Sequence, residues 1–357
     1  MRPLLLVLLA ASAPGQEFPA KRPFRMGFTA FPHDITEQAF LETREFVRRN
    51  ADLVAHHIEG VPWAEMAAGQ PLPPAMVREW EGKRSMVPPG AQVYLAVSPG
   101  RGDLKGAEKA APLPAELKGK AYDDPPVRAA YLRYCREAVR FFRPDYLAIG
   151  IEVNEIHSAS AAAWRAYAEL HRHVYGELKK EHPKLPVFAS FTLHNLVKRR
   201  GEMLSEFLKL MPFNDLAAVS YYPFMVEPAK ALPALDWMLE QFDGFRKPYA
   251  VAETNDAAER LPLPGLGVTI EGSPGRQLAY YERLLRLAHE RRFVFVVSFV
   301  HRDYDALWEK IKGTAPELFK AWRDCGLLDE AGAPRPAFGL WKKHFERPLD
   351  APPTGPP

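Results

Sequence analysis

The sequence predicts an α/β protein, a single-domain (β/α)8 (TIM) barrel. Eight short apolar runs rich in Val, Leu, Ile, Ala and Phe alternate with amphipathic helical stretches between residue 24 and about residue 345. That alternation is the signature of a parallel sheet covered by helices. Polar residues gather at the C-terminal end of each run instead of at both ends, as happens where barrel strands deliver side chains to one face. No Gly-x-Gly-x-x-Gly follows the first run and no Gly-x4-Gly-Lys-Ser/Thr occurs anywhere. An open nucleotide-binding sheet therefore loses its usual support.

Residues 24–31 read as the first strand, and Thr36 as the N-cap of a helix carrying Phe40, Leu41, Phe46 and Val47 to residue 50. The second strand is 52–58, followed by a helix near 74–82, and the third strand is 92–97. A long Gly-, Pro- and Lys-rich loop, 98–126, comes next; loops of that length inside a compact domain are commonly functional. The helix 127–142 leads to the fourth strand, Tyr146-Leu-Ala-Ile-Gly-Ile-Glu-Val-Asn-Glu-Ile-His157, apolar at first and then dense in polar residues. A helix over 161–181, a strand at 185–191 and a helix at 201–211 follow. The sixth strand is 215–222, then come a helix at 232–245, the seventh strand at 249–253, a helix at 275–292 and the eighth strand at 293–300.

Composition narrows the class. A quarter of the 357 residues are charged and the net charge is only +3, with no basic stripe interleaved with aromatics, so nothing points to a nucleic-acid partner. Arg2, the apolar run 4–13 and Ala11-Ser12-Ala13 read as a secretory signal peptide over 1–15, too short for a membrane span. The expected product is a secreted or periplasmic monomer with no lasting membrane anchor and no cofactor. Its barrel domain is expected over 20–347, before a disordered Pro-rich tail over 348–357. The two cysteines lie far apart, and Cys135, in an aromatic helical pattern, reads as a small buried hydrophobe, although the sequence leaves a disulfide with Cys325 open.

The strand ends offer the chemistry. The first gives His33 and Asp34; the second His56, His57, Glu59 and Trp63; the third Ser98 and Arg101. The fourth gives Asn154, Glu155 and His157, the fifth His194 and Asn195, and the sixth Tyr221 and Tyr222. The seventh gives Glu253 and Asn255, the eighth His301, Arg302 and Asp303. Two glutamates on different strand ends are the raw material for acid/base or nucleophilic attack on a glycosidic bond. Of the adjacent pair His56 and His57, strand parity lets at most one face the barrel mouth. Glu152, in parity with Asn154, reads as an ion-pair partner within the fold.

Asn154-Glu155 after strand four, Ser220-Tyr221-Tyr222-Pro223 on strand six and Glu253 on strand seven, in that order, resemble the clan A retaining glycoside hydrolases. The nearest motifs are those of the endo-β-1,4-galactanases. The segment 326–337 is also similar to the one after strand eight in such enzymes. The pattern departs from the clan in having Phe299 and His301 where a Trp is usual, His56-His57 where an Arg is usual, and Ile156 where a Pro often follows Asn-Glu. The resemblance implies an oligo- or polysaccharide substrate with β-linkages. Glu253 would be the nucleophile and Glu155 the acid/base, with carboxyls about 5–5.5 Å apart. It further implies Asn154 on the sugar 2-OH and Tyr222 on Glu253. His57, Trp63, His194 and His301 stand as further substrate contacts, and Trp63, Tyr94, Phe299 and Trp308 as stacking platforms.

Two other readings use the same residues. A metal-dependent barrel isomerase or hydrolase would draw ligands from His33, His57, Glu155, His194, Glu253 and His301, although no His-x-His or His-Glu-x-x-His spacing occurs. A non-catalytic carbohydrate-binding barrel would keep the cleft but has no need of both glutamates.

Overall fold

The computed structural model describes residues 18–100, 108–109 and 112–350. The expected signal segment, Arg101, part of the 98–126 loop and residues 351–357 lie outside the described residues.

Eight parallel strands close into a barrel. They are β1 (Arg25–Thr29), β2 (Leu53–Ile58), β3 (Gln92–Val97) and β4 (Tyr146–Ala148). Then come β5, in two pieces (Val187–Phe188 and Ser190–Thr192), β6 (Ala217–Tyr221), β7 (Tyr249–Thr254) and β8 (Phe295–Ser298). Each pairs with its sequence neighbour, and β1 pairs with both β2 and β8. The break in β5 falls at Ala189, whose N–H is taken by the Asn214 side chain at 2.6 Å in place of a ladder carbonyl. β5 therefore pairs with β4 through its first piece and β6 through its second, and the ring closes there.

One main helix follows each strand: α1 (Glu37–Asn50), α2 (Pro74–Ser85), α3 (Pro125–Phe142) and α4 (Ala161–Glu181). The others are α5 (Arg200–Leu208), α6 (Pro233–Phe242), α7 (Pro274–Glu290) and α8 (Pro336–Phe345). Thr36 caps α1 by accepting from the Ala39 N–H at 3.1 Å. α3 begins at Pro125, two residues before the predicted start, because prolines in the first turn lack only N–H groups that the helix cannot use.

Residues of alternate parity face the barrel axis: Leu53 and Ala55 on β2, Tyr94 and Ala96 on β3, Ala218 on β6, Ala250 and Ala252 on β7, Phe295 and Val297 on β8. Three aromatic rings fill the centre, with Tyr94 5.1 Å from Phe295 and 5.7 Å from Phe188, and alanines make room for them. Outside the ring, a larger core packs the opposite strand faces against the helices. Both cysteines are buried and unpaired.

Residues 348–350, expected within the tail, are held in place. Leu349 pairs in parallel with Arg22, whose N–H donates to the Pro348 carbonyl at 3.0 Å and whose carbonyl accepts from Asp350 N–H at 2.8 Å. Arg22 is also ion-paired with Asp52 at 2.6 Å, so residues 348–350 are ordered by a charged anchor that composition alone conceals.

Close strand packing makes Gly27 on β1 irreplaceable: an added Cβ would lie 2.5 Å from the Leu53 carbonyl oxygen on β2. Gly27→Ala is expected to cost about 1–3 kcal/mol. It should appear in urea unfolding as a lowered midpoint with an unchanged slope.

Candidate active site

Glu253 reaches the barrel mouth through an irregularity in β7. Ala250 and Ala252 face the axis, so a regular strand would turn residue 253 outward. Val251 and Thr254 on β7 pair with Val219 and Tyr221 on β6, and with Val296 and Ser298 on β8. Two residues of β7, Ala252 and Glu253, thus stand against one residue on each neighbour. This is a β-bulge, which re-aims a side chain at the cost of one ladder position.

Glu253 arrives among fixed partners. The Tyr222 hydroxyl donates to its Oε1, and His57 Nδ1 lies 3.1 Å from its Oε2. Tyr222 is 1% exposed, and burial together with the Glu253 charge holds its phenol protonated far above the ordinary range, so it remains a donor. His57 shares the inward parity of Leu53 and Ala55. His56 points outward, where its ring lies 5.9 Å from Phe142 and burial drives its pKa down to about 3. The floor beneath is Tyr94, fully buried, with a hydroxyl that has no hydrogen-bond partner among the described residues and a pKa pushed up by burial and by Glu253 and Glu152.

The fourth strand departs most from its predicted form. Regular pairing stops at Ala148, and the chain turns through Gly150, where a Cβ would collide with the Tyr167 hydroxyl at 2.0 Å. It then passes through Glu152 at φ 50°, a left-handed conformation that is uncommon for a non-glycine residue. The Glu152 N–H is held by Ser190 Oγ at 3.0 Å. Asn154 and Glu155 consequently begin a short helix, Asn154–Ala159, rather than end a strand.

That shift sets the surroundings of three residues. Asn154 is fully buried and does not offer its amide to a ligand. Its Oδ1 accepts from Thr192 N–H at 2.7 Å, and its Nδ2 donates to the Thr192 carbonyl at 3.1 Å and hydroxyl at 2.8 Å. The side chain imitates a backbone ladder and continues the β4–β5 pairing after the main chain has left it. Glu155 is 8% exposed, and its Oε1 accepts from the Thr192 hydroxyl and from Asn195 Nδ2 at 2.5 Å. Glu152 is not in an ion pair: no cation is bonded to it among the described residues. Its carboxyl is pushed well above its ordinary value of 4.5, first by burial, then by the negative charges of Glu253 and Glu155. The Ser220 hydroxyl lies near enough to favour the charged form, though outside hydrogen-bonding geometry.

The other predicted contacts divide. Trp63 is 1% exposed and packs on Tyr131 in the outer core, as the first residue of the short helix Trp63–Ala68. His301 is 2% exposed, its ring 4.7 Å from Phe46, with a pKa lowered to about 3 by burial. Both are packing residues, because their side chains face the helix layer. His194 is buried in the first turn of the helix Leu193–Lys198. Of the expected platforms, Tyr94 is inside the barrel and Trp308 is buried beside the β7–β8 loops. Phe299 is partly exposed, its ring 6.1 Å from Tyr222. Sequence reasoning passed over Trp322, whose ring meets Tyr222 edge-on at 5.4 Å, with Phe224 beside it. Only its occurrence in the long segment after β8 could have signalled it.

No three of the candidate metal ligands named from sequence converge among the described residues. Among the described residues, the acidic groups close enough to share a cation are Glu259, Asp303 and Glu330, and Asp303, Asp305 and Asp324. Arg335 lies 2.7 Å from Asp303, and Arg323 3.2 Å from Asp305, so guanidinium groups already balance these charges.

A closed (β/α)8 barrel with glutamates and their partners meeting at the C-terminal mouth is the class that fold and site define. Solved structures share the barrel. A GH5_18 protein from Bifidobacterium longum subsp. infantis superposes with a TM-score of 0.65 at 14% identity, over 93% of this chain and 80% of that one. The exo-β-1,4-mannosidase Op5Man5 from Opitutaceae bacterium strain TAV5 gives 0.62 at 12% identity, over 90% of this chain and 59% of that one, so the chain spans less than two thirds of that protein. Fungal β-1,4-galactanases give 0.58 at 13% identity, over 90% and 99%. At these identities the likeness is one of fold. No protein-family model and no curated protein matches the sequence.

The raised pKa of Glu152 carries a sign. Between 4.5 and the raised value, the folded protein keeps a proton that the unfolded chain has lost, so stability falls as pH rises through that window. Unfolding free energy measured against pH should decline by up to about 1.4 kcal/mol per unit there. The decline should be flattened by Glu152→Gln and moved to lower pH by Glu253→Gln, which removes one of the repelling charges.

Proposed function

We propose that the protein is a glycoside hydrolase that cleaves β-linked oligo- or polysaccharide with retention of configuration, through a covalent intermediate on Glu253. The observation that carries this reading is the setting of Glu253. The carboxylate is turned into the mouth by a bulge, with one oxygen on Tyr222 and the other beside His57. These partners orient a carboxylate for attack while other glutamates at the end of β4 stand opposite as proton donors. Two such groups with different environments are what double displacement requires. The partly exposed rings of Trp322, Phe224 and Phe299 beside Tyr222 form an apolar wall suited to the faces of sugar rings. Structural neighbours named as a β-1,4-mannosidase and β-1,4-galactanases support a β-linked substrate. Export, read from residues 1–15, belongs to the same proposal, as does a monomeric state.

In the first step Glu253 attacks the anomeric carbon as the leaving oxygen is protonated. In the second, water attacks that carbon from the face the leaving group vacated, and Glu253 departs as carboxylate. Tyr222, donating to Oε1, leaves the other oxygen as the attacking atom and stabilises the carboxylate when it is released.

The test is a panel of aryl glycosides and β-linked polysaccharides, with NMR reading the anomeric configuration of the first product. Retention is expected. Glu253→Ala should lower kcat on the order of 10⁴-fold or more. Tyr222→Phe should lower it roughly 10²-fold, as for the loss of one preorganised donor. Inversion, or turnover that survives Glu253→Ala and is lost to EDTA, sinks the mechanism in favour of metal chemistry. Tight glycan binding without turnover makes the protein a binding barrel.

A further inference from the structure

The sequence motif assigns proton transfer to the glutamate of Asn154-Glu155, yet the structure presents two glutamates at the end of β4 in unlike settings. Glu155 sits in the first turn of a helix, and one of its oxygens is engaged by Thr192 and Asn195 on the β5 side of the rim. The residue preceding it, Asn154, is spent on Thr192 as well. Helix start and β5 end thus form one hydrogen-bonded unit on the wall of the mouth.

Glu152 precedes that unit. Its backbone is turned to φ 50° and pinned by Ser190. The turn sends its side chain across the mouth to Ser220 on β6. Ser220 is the register partner of Glu253 on β7. Glu152 therefore reaches over β5 to the strand pair that carries Glu253. It is half-buried, with the Ser220 hydroxyl beside its carboxyl and no cation bonded to it among the described residues, so its proton is not committed to an ion pair.

Building on the hydrolase reading above, we propose that Glu152 is the acid/base that protonates the glycosidic oxygen, and that Glu155 is a positioning residue that fixes the loop carrying it. The step balances. Glu253 forms a bond to the anomeric carbon, the bond from that carbon to the leaving oxygen breaks, and the leaving oxygen takes the Glu152 proton. Water then gives a proton back to the Glu152 carboxylate as its oxygen displaces Glu253. The electrostatics agree with the cycle. The charge of Glu253 is the foremost neighbouring cause of the raised Glu152 pKa. Esterification of Glu253 cancels that charge and lowers the Glu152 pKa, so the carboxylate left after the first step stays ionised and can take the proton of the attacking water.

The experiment compares Glu152→Gly and Glu155→Ala with the wild type on two substrates, an unactivated oligosaccharide and a dinitrophenyl glycoside, each with and without azide. Glycine suits the left-handed position, and thermal melting of both variants verifies folding. Glu152→Gly should lose roughly 10²–10⁴-fold on the unactivated substrate. It should retain most of its bond-cleavage rate on the dinitrophenyl glycoside, whose leaving group needs no proton. Azide should restore turnover and yield a glycosyl azide of retained configuration, and the alkaline limb of the pH profile of kcat/KM should vanish. Glu155→Ala should slow both substrates alike, keep the alkaline limb and gain nothing from azide. Azide rescue and leaving-group dependence in Glu155→Ala, with neither in Glu152→Gly, overturns this assignment while leaving the hydrolase reading intact. No turnover of any glycoside by the wild type overturns both.

Discussion

One extra residue in β7 governs the centre of this molecule. A barrel strand that kept strict alternation would present Ala252 to the axis and hide Glu253 against the helices, where a carboxylate has no partner and burial is costly. The bulge lets both residues face inward. It also displaces the ladder so that Ser220, rather than Tyr221, stands beside Glu253, and Tyr222 follows at the rim with its hydroxyl on the carboxylate. The interior alanines matter for the same reason. Ala218, Ala250 and Ala252 leave the axis wide enough for Tyr94, Phe188 and Phe295 to form a dry floor below the charged groups.

Much of the fold was legible because its signals are periodic and repeated. Eight apolar runs with polar C-terminal ends give the barrel, and small errors at element ends do not alter the count. Glu253 was legible as the single carboxylate at the end of a long apolar run. The end of β4 was not, because the strand reading assumes a straight chain. Gly150 and the left-handed Glu152 break the alternation, and no pattern of hydrophobicity records a positive φ on a glutamate. Asn154 was misread for a related reason: a side chain that substitutes for backbone pairing looks in sequence like one offered to a ligand. Trp63 and His301 carry polar or aromatic chemistry at strand ends but point to the helix layer, a choice set by loop direction and not by residue type.

Charge placement follows a consistent division. Away from the mouth, buried and half-buried acids are matched by guanidinium groups: Asp52 by Arg22, Asp256 by Arg276, Asp303 by Arg335. At the mouth, Glu152 and Glu253 face each other without an arginine between them among the described residues. Breaking a buried ion pair is destabilising, whereas concentrating like charges costs stability throughout. At the mouth the protein accepts the second cost with no guanidinium to offset it among the described residues, which is the usual mark of a site under chemical and not structural demand.

The joining of Arg22 to Leu349 has a mechanical meaning. The two segments run in parallel, so tension applied to the preceding chain on one side and the following chain on the other pulls them along their length in opposite directions. The hydrogen bonds to Pro348 and Asp350 would then be loaded together, in shear, and the Arg22–Asp52 pair ties that clasp to β2. A clasp that opens one bond at a time yields to a weaker pull than one whose bonds must fail at once. The ring of eight units is thus fastened where a stretched chain would begin to unwind it.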